Sequence, residues 1–241
     1  MKGYLFDRFF QLEDSHWWFA GRRHVVLSQL EALSARGPLL DVGCGTGGTL
    51  AHLNGLGPGL GVDAAPQAIR FSRQRGLEVS LASGFDLPYR SASFQTVLAL
   101  DVIEHVDNDV ELLRELRRVL SLDGLLLVTV PALPALWSGH DDANDHRRRY
   151  VRSALEDVIT RSGLEIARLT YYNSLLLPLA ALRKVLPGGG SDESGAHLER
   201  LPAPLNSLLA RVFSSEATLL RYRDLPLGAS LLAACRPATG Q

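Results

Sequence analysis

Two acids set around a run of glycines carry the first chemical signal in this chain. Leu39-Leu40-Asp41-Val42 leads into Gly43-Cys44-Gly45-Thr46-Gly47-Gly48, and Gly61-Val62-Asp63 follows. Gly43, Gly45 and Gly48 satisfy G-x-G-x-x-G, a turn in which missing Cβ atoms let a ligand approach the backbone closely. Asp63 stands close to the distance at which an acid takes ribose hydroxyls. The pattern points to a nucleotide-bearing ligand. Taken alone it suits a dinucleotide equally well, and a tight turn beside a solvated acid is the plain alternative.

Two charged clusters follow. One is Asp101-Val102-Ile103-Glu104-His105; the other runs from Trp137 through His140-Asp141-Asp142-Ala143-Asn144-Asp145-His146 to Arg147-Arg148-Arg149-Tyr150. Three readings compete for them. His140 or His146 could be a general base whose tautomer is set by Asp141 or Asp145, with Asp101 beside the reacting centre, since imidazole titrates near neutrality. Glu104, His105 and His146, with Asp101, could hold a divalent metal through mixed oxygen and nitrogen ligands; this second reading is open but not favoured. In the third, the clusters are a salt-bridged, solvated face. Arg148 and Arg149, next to Tyr150, carry the guanidinium forks that grip carboxylate or phosphate, which would make the acceptor anionic.

An alternation of strands and helices must hold these groups. Strands are expected at Leu39–Val42, Gly59–Asp63, Glu78–Leu81, Thr96–Leu100 and Gly124–Val130, with a last one within Leu227–Cys235. Helices are expected from the glycine turn to about Leu53, from Pro66 to Gly76, after an Asp107 or Asn108 cap, and after a Ser153/Glu156 capping box that Gly163 terminates. This order predicts an α/β fold: a doubly wound, mostly parallel seven-stranded sheet covered on both faces. All 241 residues form one domain in this reading, with a helical cap at 1–36, a core at 37–172 and 225–237, and a helical insertion or lid at 173–224.

Composition narrows the function. The chain has 25 basic and 26 acidic side chains and a net charge of −1, without the positive excess that bulk nucleic-acid binding needs, so no nucleic-acid partner is expected. Lysine occurs only at Lys2 and Lys184. Cys44 and Cys235 are too few for a disulfide scaffold or a zinc site, which suits a reducing compartment. Charge interrupts the first seven residues too early for a signal peptide, and no apolar run is long enough to cross a bilayer, so a cytoplasmic location is expected.

From Leu39-Leu40-Asp41-Val42-Gly43-Cys44-Gly45-Thr46-Gly47, through Gly61-Val62-Asp63, Asp86-Leu87-Pro88-Tyr89 and Leu100-Asp101-Val102-Ile103-Glu104-His105-Val106, to Gly124-Leu125-Leu126-Leu127-Val128, the chain resembles the class I S-adenosylmethionine-dependent methyltransferases. The likeness is greatest to the small bacterial subgroup related to ubiquinone-type O-methyltransferases. It covers about residues 38–172. The resemblance implies S-adenosylmethionine as cofactor. Asp41 and the backbone of Gly43, Cys44, Gly45 and Gly47 would hold its methionine end. Asp63, with Ala64 beside it, would take the ribose hydroxyls, Ser83, Gly84 and Phe85 would face the adenine, and Leu100 and Asp101 would wall the sulfonium. Many relatives place an acid where Ser83 stands; a serine can still accept one hydrogen bond. The Asp-x-x-Glu-His stretch with a later histidine is also similar to small-RNA 2′-O-methyltransferases and ubiquinone-pathway O-methyltransferases.

The sulfonium is already an activated electrophile, so catalysis needs chiefly in-line placement and exclusion of water. The expected reaction is methyl transfer to an oxygen of a small or lipid-linked metabolite, with nitrogen or carbon acceptors as alternatives. A nicotinamide-dependent dehydrogenase is the rival of another class, but no tyrosine stands four residues before either lysine. An inactive cofactor-binding partner is the non-enzymatic rival. His16-Trp17-Trp18-Phe19 could close over the cofactor or meet the acceptor through Trp17 and Trp18, or simply pin a helix to the core. The apolar stretch 174–186 could wall the acceptor, join two copies in a homodimer, or rest on a membrane surface.

Overall fold

The computed structural model describes residues 3–185 and 200–238; the stretch Pro187–Gly195, expected to be mobile, lies outside them. Seven strands form one sheet: β1 (Leu39–Val42), β2 (Gly59–Asp63), β3 (Val79–Leu81), β4 (Phe94–Leu100), β5 (Leu120–Pro131), β6 (Leu164–Tyr172) and β7 (Ser230–Pro237). Their spatial order is β3-β2-β1-β4-β5-β7-β6, and only the pairings made by β7 are antiparallel. All four β1 residues are buried, as expected of a central parallel strand covered on both faces. Strand order reverses between β1 and β4, which opens a crevice beyond their carboxyl ends.

Eight α-helices accompany the sheet among the described residues: α1 (Gly3–Leu12), α2 (Trp17–Ala32), α3 (Pro66–Gln74), α4 (Asp109–Val119), α5 (Gly139–Ala143), α6 (Arg152–Arg161), α7 (Leu177–Val185) and α8 (Ala203–Tyr222). The amphipathic α4 buries Leu112, Leu113, Leu116 and Val119, and the Asn108 side chain caps it by accepting from Glu111 N at 3.1 Å. Pro178 fixes the first turn of α7 rather than bending it. The cap packs on α8, where Trp17 N donates to Asn206 Oδ1. A Cβ at Gly21 would lie 2.5 Å from the Phe213 ring, so only glycine lets α2 and α8 approach this closely.

Three expected elements come out differently. The helix after the glycine turn is reduced to two 3-10 turns, Leu50–His52 and Asn54–Leu56. The Ser153/Glu156 capping box does not form. Helix α6 begins at Arg152 behind Val151, with no side-chain cap, and the capping box sits instead at Ser138/Asp141 on α5. The fifth strand starts at Leu120, four residues before Gly124. No described helix is long and apolar enough to cross a membrane.

Candidate functional site

The glycine turn joins β1 to the first 3-10 turn with Gly43, Gly45 and Gly47 at φ +72°, +56° and +83°, where L residues are strained. At Gly43 an added Cβ would come 2.6 Å from Val102 Cγ2, so the turn is closed on that side. At Gly45 it would meet nothing within 4 Å, so the turn faces open space there. Asp63, at the tip of β2, fixes the turn: Gly45 N donates to its Oδ2 at 2.9 Å and Ala65 N to its Oδ1 at 2.8 Å. Each oxygen keeps acceptor capacity for a ligand hydroxyl. Ala64 is exposed beside it. The Cys44 thiol is buried and held far above its ordinary range by burial, so it packs rather than reacts.

The N-terminal cap buttresses this turn. Thr46 Oγ1 donates to Glu13 Oε1 at 2.6 Å, Arg75 Nη2 reaches the same oxygen at 2.7 Å, and Arg75 Nε donates to Thr46 O. The sequence gives no hint of the Glu13 contact, because 33 residues separate it from Thr46.

Asp41 lies one strand over and is buried. Burial lifts its pKa to about 7; the nearby Arg22 guanidinium opposes that rise and Asp63 adds to it. Arg22 projects from α2 and its Nη2 pairs with Asp101 Oδ2 at 2.7 Å. Asp101 follows the buried Leu100 in a left-handed conformation (φ +57°), and Thr129 Oγ1 donates to its other oxygen at 3.0 Å. On the far side, Ser83 and Phe85 are exposed and Gly84 is half-buried, and Phe85 N donates to Ser83 Oγ at 3.2 Å. An open hollow of about 440 Å³ borders them, lined by Phe85, His105, Val106, Asp107, Asn108 and Glu111.

Beyond the crevice the two charged clusters meet: Arg147 N donates to Glu104 O at 2.7 Å, which brings His146 against His105 with ring centroids 4.8 Å apart. His140, on α5, lies 6.1 Å from the His146 ring. His146 Nδ1 is 2.8 Å from Asp141 Oδ1. Burial works against the Asp141 charge, yet hydrogen bonds with His146 and Arg149 hold its carboxyl well below the usual range. An ionised carboxylate can only accept, so the proton between the two groups sits on His146 Nδ1.

Ligand atoms of Glu104, His105 and His146 all lie within 4.8 Å of one another. Both Glu104 oxygens are buried with no hydrogen-bond partner, and burial, with Asp101 adding to it, raises that carboxyl well above its ordinary range. Burial and the neighbouring His146 lower His105 to about 4, which keeps its ring neutral.

The expected acceptor residues are spent elsewhere. Arg149 grips Asp141 with two donors, at 2.8 and 2.9 Å. Arg148 donates to Asp109 Oδ2 and to the Val106 and Asp107 carbonyls, and the buried Tyr150 hydroxyl donates to Asp109 Oδ2 at 2.7 Å. Arg148 and Arg149 therefore hold the loop that carries His146, while Arg147 is exposed and pairs with the exposed Asp107 at 3.7 Å. Trp17 and Trp18 are half-buried against the core, and Arg22 Cζ lies 5.4 Å from the Trp18 ring centroid.

A methyltransferase domain model matches residues 40–128. A protein of Mycolicibacterium smegmatis described as "Probable S-adenosylmethionine-dependent methyltransferase" is 29% identical over 161 residues, covering 64% of this chain and 62% of that one. The Arabidopsis thaliana tRNA (carboxymethyluridine(34)-5-O)-methyltransferase is 32% identical over 111 residues, covering 44% of this chain and 26% of that one. The chain spans between about a fifth and about three-fifths of the length of the curated relatives it matches. Among solved structures, a chain from the complex between the Haloferax volcanii Trm112 methyltransferase activator and a methyltransferase superposes with TM-score 0.62 at 20% identity, covering 96% of this chain and 93% of that one. That likeness concerns the fold. The glycine turn, the acid at each strand tip and the strand order agree with the matched domain: over residues 40–128 the chain is similar to the methyltransferases.

Proposed function

We propose that this protein transfers the methyl group of S-adenosylmethionine to an oxygen of a small or lipid-linked acceptor. Asp63 takes the ribose hydroxyls, Asp41 the methionine ammonium, and Gly45 leaves room for the ligand against the backbone. The acceptor oxygen attacks the methyl carbon in line, the carbon–sulfur bond breaks, and the sulfonium becomes a neutral thioether. The acceptor's proton passes to His146 Nε2. The observation that carries this reading is the Arg149–Asp141–His146 relay, which orients the His146 imidazole through its Nδ1. Leu175, Leu179 and Leu182, each about half exposed at the edge of α7, suit an acceptor with an apolar tail.

Glu104 favours one second reading. Its two buried, unpartnered oxygens, with His105 and His146, form an oxygen–nitrogen set that fits a zinc- or manganese-like cation, and Asp141 would orient His146 as a ligand. Labelled cofactor incubated with cell extract, then separated into small-molecule, lipid and RNA fractions, tests the acceptor; label confined to RNA overturns it. With the acceptor in hand, His146→Ala is expected to slow turnover by roughly 10²- to 10⁴-fold while cofactor affinity holds. Chelation leaves turnover unchanged if His146 is a base, and abolishes it reversibly if it is a metal ligand.

Asp41 sets a pH dependence. The ammonium binds the ionised carboxylate, so affinity for S-adenosylhomocysteine should fall as pH drops below about 7. Titration calorimetry from about one unit below that midpoint to about one unit above it should show one linked proton, absent in Asp41→Asn. Stability of the free protein runs the other way. The folded state holds a proton that the unfolded chain releases near 3.8, so this group's contribution is lost as pH rises through about 7.

A further inference from the structure

From its first residues to Leu182, α7 turns only apolar side chains to the outside. Leu175, just before the helix, and Leu179 and Leu182 within it are 46%, 50% and 55% exposed. Pro178, Ala180 and Ala181 are exposed beside them. Steps of four and then three residues set the leucines on one face. The root of the helix is nevertheless firmly held: Leu176 is buried in the core, and Leu175 N donates to Oε1 of the buried Glu216 at 2.7 Å. The bare face is thus presented by the fold. No acid stands between Ser174 and Val185, and the last turn carries Arg183 and Lys184 in sequence; the nearest acids along the chain are Glu165 and Asp192.

We propose that α7 docks on an anionic membrane surface, lying in the plane of the interface with its leucines among the acyl chains. Its nine residues are too few to cross a bilayer. An apolar helix face followed by two basic residues, with no acid among them, has the chemistry that an anionic lipid surface attracts. A second copy of the chain fits less well. Three half-exposed leucines and their small neighbours offer on the order of a few hundred Å², well below the about 800 Å² per partner that a stable protein interface buries. Bilayer binding has no such threshold, because apolar burial and lipid charge add. Helix α7 packs against the 3-10 turn Pro134–Leu136, which leads into α5 and His140. Docking therefore sets the acceptor side of the crevice towards the bilayer. On the acceptor reading given above, a lipid-linked acceptor is then taken directly from the membrane; the docking itself does not depend on that reading.

The test is co-sedimentation of the full chain with vesicles of phosphatidylcholine mixed with phosphatidylglycerol, and with vesicles of phosphatidylcholine alone. The mixed vesicles are expected to bind at least about tenfold more tightly, and a salt concentration of about 1 M, where screening acts within about 3 Å, should remove that preference. Arg183→Gln/Lys184→Gln should weaken binding to the mixed vesicles by roughly tenfold to thirtyfold. Leu179→Gln/Leu182→Gln should weaken binding to both kinds by about tenfold or more. Both leucines are exposed, so this variant should melt with the wild type; if it does not, the Arg183→Gln/Lys184→Gln pair decides. Vesicles that bring down no protein overturn the proposal, as does equal binding to both kinds or binding that the variants leave unchanged. A dimer in sizing chromatography that Leu179→Gln/Leu182→Gln takes apart gives the face to a second copy and overturns it too. The test uses neither cofactor nor acceptor, so its failure is distinct from failure of the methyl-transfer reading.

Discussion

Asp63→Ala should all but abolish cofactor binding. The carboxylate does two jobs at once. It accepts from Gly45 N and Ala65 N on separate oxygens, which sets the shape of the glycine turn, and in the proposed site its remaining lone pairs would take the ribose hydroxyls. Hydrogen bonds to a charged group contribute about 1.5–3 kcal/mol each, so losing two ribose contacts should raise the dissociation constant for S-adenosylhomocysteine by roughly 10²- to 10⁴-fold. Asp63→Asn keeps one acceptor oxygen and should fall between wild type and alanine. Calorimetry on the folded variants decides the matter: an Asp63→Ala protein that binds the nucleoside as tightly as wild type would remove Asp63 from the site.

The difference between the Asp63 contacts and the Arg22–Asp101 pair shows which parts of the site could be read in advance. Asp63 and the glycines are local features. A positive φ demands glycine, and an acid at a fixed distance down the chain lands at the next strand tip once the alternation of strand and helix is recognised. Arg22 meets Asp101 only because a helical cap folds back over the sheet, and no periodicity in either segment records that. The arginines after His146 were misleading for a similar reason. An Arg-Arg-Arg-Tyr run has the composition of an anion clamp, but the acids that consume Arg148 and Arg149, Asp109 and Asp141, are fixed by tertiary packing. The short turns after Gly48 and the unused Ser153 cap mark a further limit. Capping signals state that a helix could start, while neighbouring glycines and the approach of the chain decide whether and where it does.

Asp141 carries the second large expectation, and there stability and chemistry can be separated. Its side chain is fully buried and accepts from Ser138 N, from His146 Nδ1 and from both Nε and Nη2 of Arg149. Asp141→Ala leaves the Arg149 guanidinium, itself only 11% exposed, without its counter-ion, and breaking a buried pair from one side costs about 3–5 kcal/mol. For a chain of this size that corresponds to a fall in Tm of roughly 6–20 °C. His146 would lose the group that fixes its tautomer, so turnover should fall as well, measured below the new Tm. The double variant Asp141→Leu/Arg149→Met replaces both charges with apolar groups and should recover much of the Tm, because an apolar pair of similar volume often matches a buried ion pair. It should not recover turnover, since nothing then holds the Nδ1 proton of His146. If the double variant regains both Tm and rate, Asp141 serves only to neutralise Arg149, and the proton must leave the acceptor by another route.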